Sequence, residues 1–333
     1  MLGSLESSTH DSTMPTVTAG AALERAAERR AAIARATPYA LAGAALLAAF
    51  VAVYVVAVLT ETGQRIENTA LLGAAIRSET ERGQSAEALS PISLVTFGLA
   101  VLLVTAVGFA RRREALGLLA ASVMVIAVIA AELLKDLLPR PPHTQGPIWL
   151  LRNSFPSGTV AVVAAMSVGA MLVSPDRLRW AVLAIGSVAL AVAAQSTQIA
   201  GWHRLSDAVG GGLLAAAVGA FGVAVLAAAD LVATSAVGRV TWRVYAAILI
   251  VAGLLLAVGT LLLVLLVVFP LLSSPEGGRR VFFQTAFPLF AAALTALTLA
   301  LFARLLEGRS LGAKPTARPE PAEETVADRP PSA

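Results

Sequence analysis

The sequence predicts an all-α polytopic membrane protein, and three observations carry that reading. Of the 333 residues, 57% are hydrophobic and 14% are charged, whereas soluble domains carry about 25% charged residues. Eight apolar stretches approach or exceed the length that crosses a bilayer, which is about 20 residues. These stretches lack the two-residue alternation of membrane barrel strands. The same composition excludes disorder for most of the chain, because disordered segments are poor in apolar residues. With no cysteine, disulfide and cysteine-based zinc frameworks are excluded.

The stretches run over 38–60, 91–110, 114–134, 157–174, 180–202, 207–229, 244–270 and 284–303. The first follows a polar and Ala/Arg-rich segment without a cleavable signal, so it is expected to be an uncleaved anchor. The fourth is short and opens at Pro156-Ser157-Gly158, which suggests a start inside a re-entrant turn. The last two contain almost no polar residue and read as an appendix to the first six. Residues 61–90 mix Gln, Glu, Arg and Ser with apolar pairs; a short surface helix is expected there, with a lid as the alternative. Segments 1–20 and 312–333 read as disordered tails. Residues 21–35 read as a basic anchor on the inner side, or as a short amphipathic surface helix. No repeat relates the two halves, which counts against an inverted-repeat transporter.

Orientation follows from the arginines. With both termini inside, inner segments hold 16 of the 25 basic residues, including Arg111, Arg112 and Arg113 in one short loop and Arg177 and Arg179 in another. The net charge of +4 is thus mainly a topology label, and no basic patch with groove-reading elements points to nucleic acid.

The ionisable residues of the first six stretches gather at three outer junctions. A charge at membrane depth is expensive and usually functional. The first junction holds Glu132, Lys135, Asp136, Arg140 and His143. Two cations at a fixed separation suit a phosphate, Arg through two oxygens and Lys as a point charge; alternatively both snorkel from a helix end. The second junction, Asn153-Ser154-Phe155-Pro156-Ser157-Gly158-Thr159, is an ordinary helix start or an anion-binding one, where free N–H groups and the dipole face a ligand. The third holds His203 and Asp207, four residues apart and on one face if a helix begins there. The carboxylate then orients the imidazole, or Asp207 or Ser206 simply caps the helix. All three junctions fall on the same predicted side.

Residues 135–207 resemble the type-2 phosphatidic acid phosphatase superfamily of membrane lipid phosphatases. Its motifs are Lys-x6-Arg-Pro, Pro-Ser-Gly-His and Ser-Arg-x5-His-x3-Asp. Lys135 matches the first lysine. Arg140-Pro141 matches an Arg-Pro that often precedes the final pair of that motif; the final pair falls at Pro142-His143 and lacks its arginine. Pro156, Ser157 and Gly158 match the second motif, with Thr159 in place of histidine. Ser196, His203 and Asp207 match the third, with Thr197 in place of arginine. The resemblance implies a six-helix phosphatase-like core, to which the last two apolar stretches add two C-terminal transmembrane helices. It implies an outward-facing site on the plasma membrane, with His203 as nucleophile and Asp207 as its partner. Lys135, Arg140, Ser157 and Gly158 would bind phosphate, and no metal or cofactor is implied. The corresponding organisation is a cytoplasmic segment 1–37, a six-span domain 38–229, two extra helices in 230–303 and a cytoplasmic tail 304–333.

The departures have consequences. Thr159 cannot protonate a leaving oxygen, a role typically worth about a hundred- to ten-thousand-fold. His143 is a possible substitute acid. Alternatively the substrate is a polyprenyl diphosphate, whose phosphate leaving group needs little acid. The expected function is hydrolysis of a lipid phosphate or polyprenyl diphosphate through a phosphohistidine. The alternatives are a weak or inactive relative that binds lipid phosphates, and a membrane transporter or structural protein.

Overall fold

The computed structural model describes residues 16–74, 77–235, 239–268 and 275–312. In chain order the helices are α1 (Thr16–Val53), which runs into a π-helical turn at Tyr54–Val58, α2 (Glu61–Ala74), α3 (Glu79–Ala88), α4 (Leu94–Ala110), α5 (Glu114–Leu137), α6 (Ile148–Leu151), α7 (Gly158–Val173), α8 (Arg179–Ile199), α9 (Leu205–Ala228), α10 (Arg239–Val268) and α11 (Pro275–Leu305). Two short strands, β1 (Val232–Thr234) and β2 (Arg309–Leu311), pair antiparallel with Val232 opposite Leu311. Among the described residues, 6 helical segments are long and apolar enough to cross a membrane: Gly20–Val58, Glu114–Leu137, Asp176–Ile199, Leu205–Ala228, Arg243–Leu262 and Thr285–Leu305. The remaining two apolar stretches form the shorter helices Leu94–Ala110 and Gly158–Val173. At 1.5 Å per residue the latter spans only about 24 Å, and an extended segment leads into it.

Large apolar side chains remain exposed along the bundle, among them Leu94, Leu99 and Leu102 on α4, Ile126 and Ile129 on α5, Ile185 and Val188 on α8, and Val251 and Leu254 on α10. A continuous exposed apolar surface of this kind suits lipid and not water. Trp149 and Trp202 are exposed at one end and Trp180 at the other, as expected for aromatic side chains at bilayer interfaces.

Helix ends sort into two groups. At one end arginines meet carbonyls: Arg111 donates to Val173 at the end of α7 and Arg179 to Leu306 (3.2 Å), just past α11, while Arg113 donates to Leu311 and Arg179 also to Arg309, both in β2. Arg35 Nε donates to the Ala227 carbonyl at 3.2 Å. A cation at a helix C-terminus is favoured by the macrodipole and satisfies orphan carbonyls. At the opposite end lie the C-termini of α5 and α8 and the N-termini of α7 and α9, joined by the contacts described below.

α9 is the central helix, with 83% of its apolar window buried. Its Gly210-Gly211-Gly212 run permits the close packing expected of small residues. A Cβ on Gly211 would lie 2.7 Å from the Ser157 carbonyl oxygen and 3.0 Å from the Ala161 nitrogen; one on Gly210 would lie 2.5 Å from the Phe155 ring. Glycine here lets α9 lie directly against the start of α7, one turn from Asp207. Gly211→Ala is therefore expected to destabilise the fold by about 1–3 kcal/mol through overpacking, read as a lower Tm in detergent.

Three expectations need correction or refinement. Residues 61–90 are not simply a surface helix: α2 buries Gln64, Glu67, Asn68 and Leu71, whereas α3 has no buried residue. The spacing of those four puts them on one helical face, and that face finds polar partners in the junction loops. Residues 21–35 continue into α1 without a break, so they do not form a separate helix. The last two helices also differ from each other. α10 is only 11% buried over its apolar window, but Leu299, Phe302 and Leu306 from α11 and its extension belong to the same core as α7 and α9. The expected tails lie outside the described residues at 1–15 and 313–333, while 16–20 are helical and 309–311 form β2.

Candidate active site

Asp207 is the centre of a network that joins the second and third junctions. The chain leaves α8 through Gly201 (φ +76°), and the N–H groups of Trp202 and His203 both donate to the Thr197 carbonyl, at 2.9 and 3.2 Å. That tight turn sets His203 four residues before Asp207, in the first turn of α9. The fully buried Asp207 accepts at Oδ2 from Ser154 Oγ (2.7 Å), the Arg204 N–H (2.8 Å) and His203 Nδ1, whose 3.4 Å separation is at the long end for a hydrogen bond. Its backbone carbonyl accepts the Ser157 N–H at 2.8 Å. Asp207 thus both caps the helix and holds the imidazole, so the two sequence alternatives are realised together. With Nδ1 turned to the carboxylate, Nε2 is the ring nitrogen left for chemistry.

The first junction lies against the start of α7. Lys135 Nζ donates to both Glu132 oxygens, at 2.7 and 2.8 Å. A Cβ at Gly158 would come within 2.0 Å of Glu132 Oε1 and 2.8 Å of Lys135 Nζ. Glycine at 158 is what allows this ion pair to sit on the α7 N-terminus. Asn153 Nδ2 donates to the carbonyls of Lys135 and Leu138, both at 3.1 Å, and so ties the end of α5 to the loop. Ser157 is fully buried and its hydroxyl accepts the Val160 N–H at 3.3 Å. Its hydroxyl is therefore a helix cap in this arrangement. Phe155 precedes a cis Pro156 and is buried against Phe50 and Tyr54.

The residues that sequence reasoning missed come from α2 and from the loops it covers. Asn68 Oδ1 accepts from Arg140 Nη2 (3.2 Å) and Arg204 Nε (3.0 Å), and Asn68 Nδ2 donates to Thr144 Oγ1 (2.8 Å). Arg204, itself buried, also donates to Ser154 Oγ (2.8 Å) and the Leu150 carbonyl (2.5 Å). Glu67 accepts the Ser206 N–H at 2.7 Å and the Ser206 hydroxyl at 2.8 Å. Gln64 donates to the carbonyls of Val58 (2.7 Å) and Pro141 (2.6 Å). His143 is exposed, with Nε2 2.9 Å from the Leu59 carbonyl. The signal for α2 was its polar and apolar residues at positions 64, 67, 68 and 71. That pattern shows a helical face but not what covers it.

The charges are strongly coupled. Burial, and then the charge of Asp207, push the Glu67 carboxyl up to about 7, against the Ser206 hydrogen bonds and Arg204. Burial and the neighbouring Arg204 bring Arg140 down to about 10. Arg140 Nη1 and Asp207 Oδ1 are buried and have no hydrogen-bond partner among the described residues. Because Glu67 holds its proton more tightly folded than unfolded, its contribution to stability is full below about 4.5 and is lost as pH rises through about 7. Relative to wild type, Glu67→Gln should flatten this decline between pH 5 and 8. The expected difference, of order a few kcal/mol, is checked by thermal unfolding in detergent.

The pocket bordering His203 is lined by Glu67, Arg77, Gln198, Arg204 and, from α11, Phe287 and Pro288. Its volume is about 10 Å³, room for one water molecule. At the departing motif positions, Thr159 is half-buried near the start of α7, and Thr197 is buried with its hydroxyl on the Ala194 carbonyl. Hydrogen bonds thus join Arg140, Ser154, Ser157, His203, Arg204 and Asp207 in one network, with Lys135 and Gly158 in mutual contact at the head of α7. His143 packs on the stretch before α2 and is absent from the His203 pocket. Compared with family models, curated proteins and solved structures, the chain has no match. The functional reading therefore rests on the site itself.

Proposed function

We propose that this protein is an integral-membrane lipid phosphatase that hydrolyses a lipid phosphate or polyprenyl diphosphate through a phosphohistidine on His203. Eight helices cross the plasma membrane with both termini cytoplasmic, and the site opens on the extracytoplasmic face. The observation that carries the reading is the buried Asp207 carboxylate holding His203 Nδ1 while joined to Ser154 and Arg204. His203 Nε2 attacks phosphorus and Asp207 stabilises the imidazolium that forms. Arg140, Arg204 and Lys135, with the N-terminus of α7, balance the charge that spreads over the equatorial oxygens.

Asn68 accepts from both guanidinium groups, as an oxygen of a bound phosphate would. Substrate entry in this reading requires α2 to withdraw Asn68. The arginine-capped end supports the orientation, since it collects the residues that the positive-inside rule assigns to the cytoplasm. The same contacts favour a second reading, a lipid-phosphate binder without turnover, because Lys135 is already neutralised by Glu132. The Ser157–Asp207 contact weighs against a transporter in which the junctions lie apart. Purified protein incubated with a radiolabelled polyprenyl diphosphate distinguishes the two main readings. Acid-labile label retained on wild type and absent from His203→Ala supports the phosphatase, whereas saturable binding with no label supports the binder.

A further inference from the structure

The phosphatase reading leaves one chemical role without a residue, the proton donor to the leaving oxygen. Thr159 has no proton of suitable acidity, and His143 does not border the His203 pocket. Of the ionisable groups that do border it, Arg77 and Arg204 are guanidinium ions, which do not give up a proton near neutrality. Among the described residues Glu67 is the one carboxyl in that lining. It is held by Ser206, one residue before Asp207, whose backbone N–H donates to Oε1 and whose hydroxyl donates to Oε2. Nucleophile and carboxyl therefore border the same small space, from the turn before α9 and from α2.

We infer that Glu67 donates the proton to the leaving oxygen, in the role that a histidine at position 159 would otherwise fill. This inference rests on the phosphatase reading. In the first step the Nε2 lone pair forms the N–P bond and the P–O bond to the lipid breaks. The departing oxygen takes the Glu67 proton, directly or through the one water for which the pocket has room. Glu67 is left as a carboxylate accepting from Ser206, and the phosphorylated ring is cationic beside Asp207. In the second step water attacks phosphorus and gives a proton to Glu67. The N–P bond breaks, its electron pair returns to Nε2, and inorganic phosphate leaves.

The surroundings suit both halves. Burial and the Asp207 charge favour the acid form of Glu67, while Arg204 and the Ser206 hydrogen bonds favour the carboxylate; the balance falls near neutral pH. Arg140 also feels the Glu67 charge, and Arg77 and His203 line the same pocket. One consequence is a broader substrate range. With a donor present, lipid monoesters come within reach as well as diphosphates.

The test uses the full-length protein in liposomes with phosphatidate, which expels an alkoxide, and with 4-nitrophenyl phosphate, which expels a stable phenolate. Glu67→Gln keeps the shape and hydrogen-bonding capacity of the side chain toward Ser206. It is expected to lower the phosphatidate rate by about a hundred- to ten-thousand-fold. With the aryl ester the burst of nitrophenolate is expected to persist, followed by accumulated phosphoenzyme. Wild-type kcat/KM for phosphatidate should fall as pH rises through about 7, and this limb should be absent from Glu67→Gln. Equal losses on both substrates, or no loss on either, overturn the role of Glu67 and leave the phosphatase reading intact. A wild type that forms no phosphoenzyme with either substrate overturns both. Should Glu67→Gln not fold, a wild-type phosphatidate profile without a fall near neutral pH overturns the inference by itself.

Discussion

Replacing His203 with Ala is expected to reduce phosphate release to the uncatalysed background, a loss of about four to six orders of magnitude, as for removal of other enzymic nucleophiles. Asp207→Asn is expected to cost about 10⁴-fold in kcat while leaving the fold largely in place. The amide still offers an oxygen to the Ser154 hydroxyl and the Arg204 N–H, but it carries no charge to stabilise the imidazolium. Single-turnover phosphorylation separates this from a binding defect, because an electrostatic role slows phosphoryl transfer without weakening substrate binding. Equal single-turnover rates for wild type and Asp207→Asn would remove Asp207 from the mechanism.

A clamp on α2 is expected to abolish turnover reversibly. Asn68 bonds to Arg140, Arg204 and Thr144 together, and the pocket beneath α2 has a volume of about 10 Å³. A phosphate reaches the two guanidinium groups only if this contact opens. The chain has 0 cysteines, so Gln64→Cys combined with His143→Cys places thiols at two positions alone. The pair leaves Asn68 in place and lies where α2 meets the loop whose His143 N–H donates to Gln64 Oε1 at 3.3 Å. A short bis-methanethiosulfonate bridge between them should bring lipid phosphate hydrolysis to background, and reductant should restore it. Activity that persists in the bridged protein would mean that substrate reaches His203 without movement of α2. The single variant Asn68→Ala gives the complementary result: it removes the acceptor that Arg140 Nη2 and Arg204 Nε share and is expected to tighten inhibition by inorganic phosphate.

Much of the molecule was legible in the chain because the signals were local. An apolar run declares itself within its own span: six of the eight fall in helices long and apolar enough to cross a bilayer, and the other two in the shorter helices Leu94–Ala110 and Gly158–Val173. The arginine-rich loops also sorted to one end, where Arg111 and Arg179 donate to carbonyls at helix carboxyl termini and Arg113 to a carbonyl of β2. His203 and Asp207 were readable as a pair because four residues make one helical turn. The resemblance identified Lys135, Arg140, Ser157 and Gly158 as site candidates by motif order, without their contacts.

Tertiary structure alone decided what those residues touch. Asn68 and Glu67 lie 136 and 139 residues from the partners they meet in Arg204 and Ser206, a separation across which no periodicity carries information. A polar helical face has the same pattern whether it meets water or a buried arginine, so α2 read as a surface helix. Lys135 shows the converse: with Arg140, as two cations at a fixed separation, it suggested a phosphate contact, but its ammonium is paired with Glu132 one turn earlier. Apolar length and charge placement determined that the chain forms a helical membrane bundle and where its polar end lies. Only the packing of α2 and α11 onto that end decided which groups face His203. Hydrophobic burial is insensitive to the partner, whereas a hydrogen bond or an ion pair needs one particular partner at one distance.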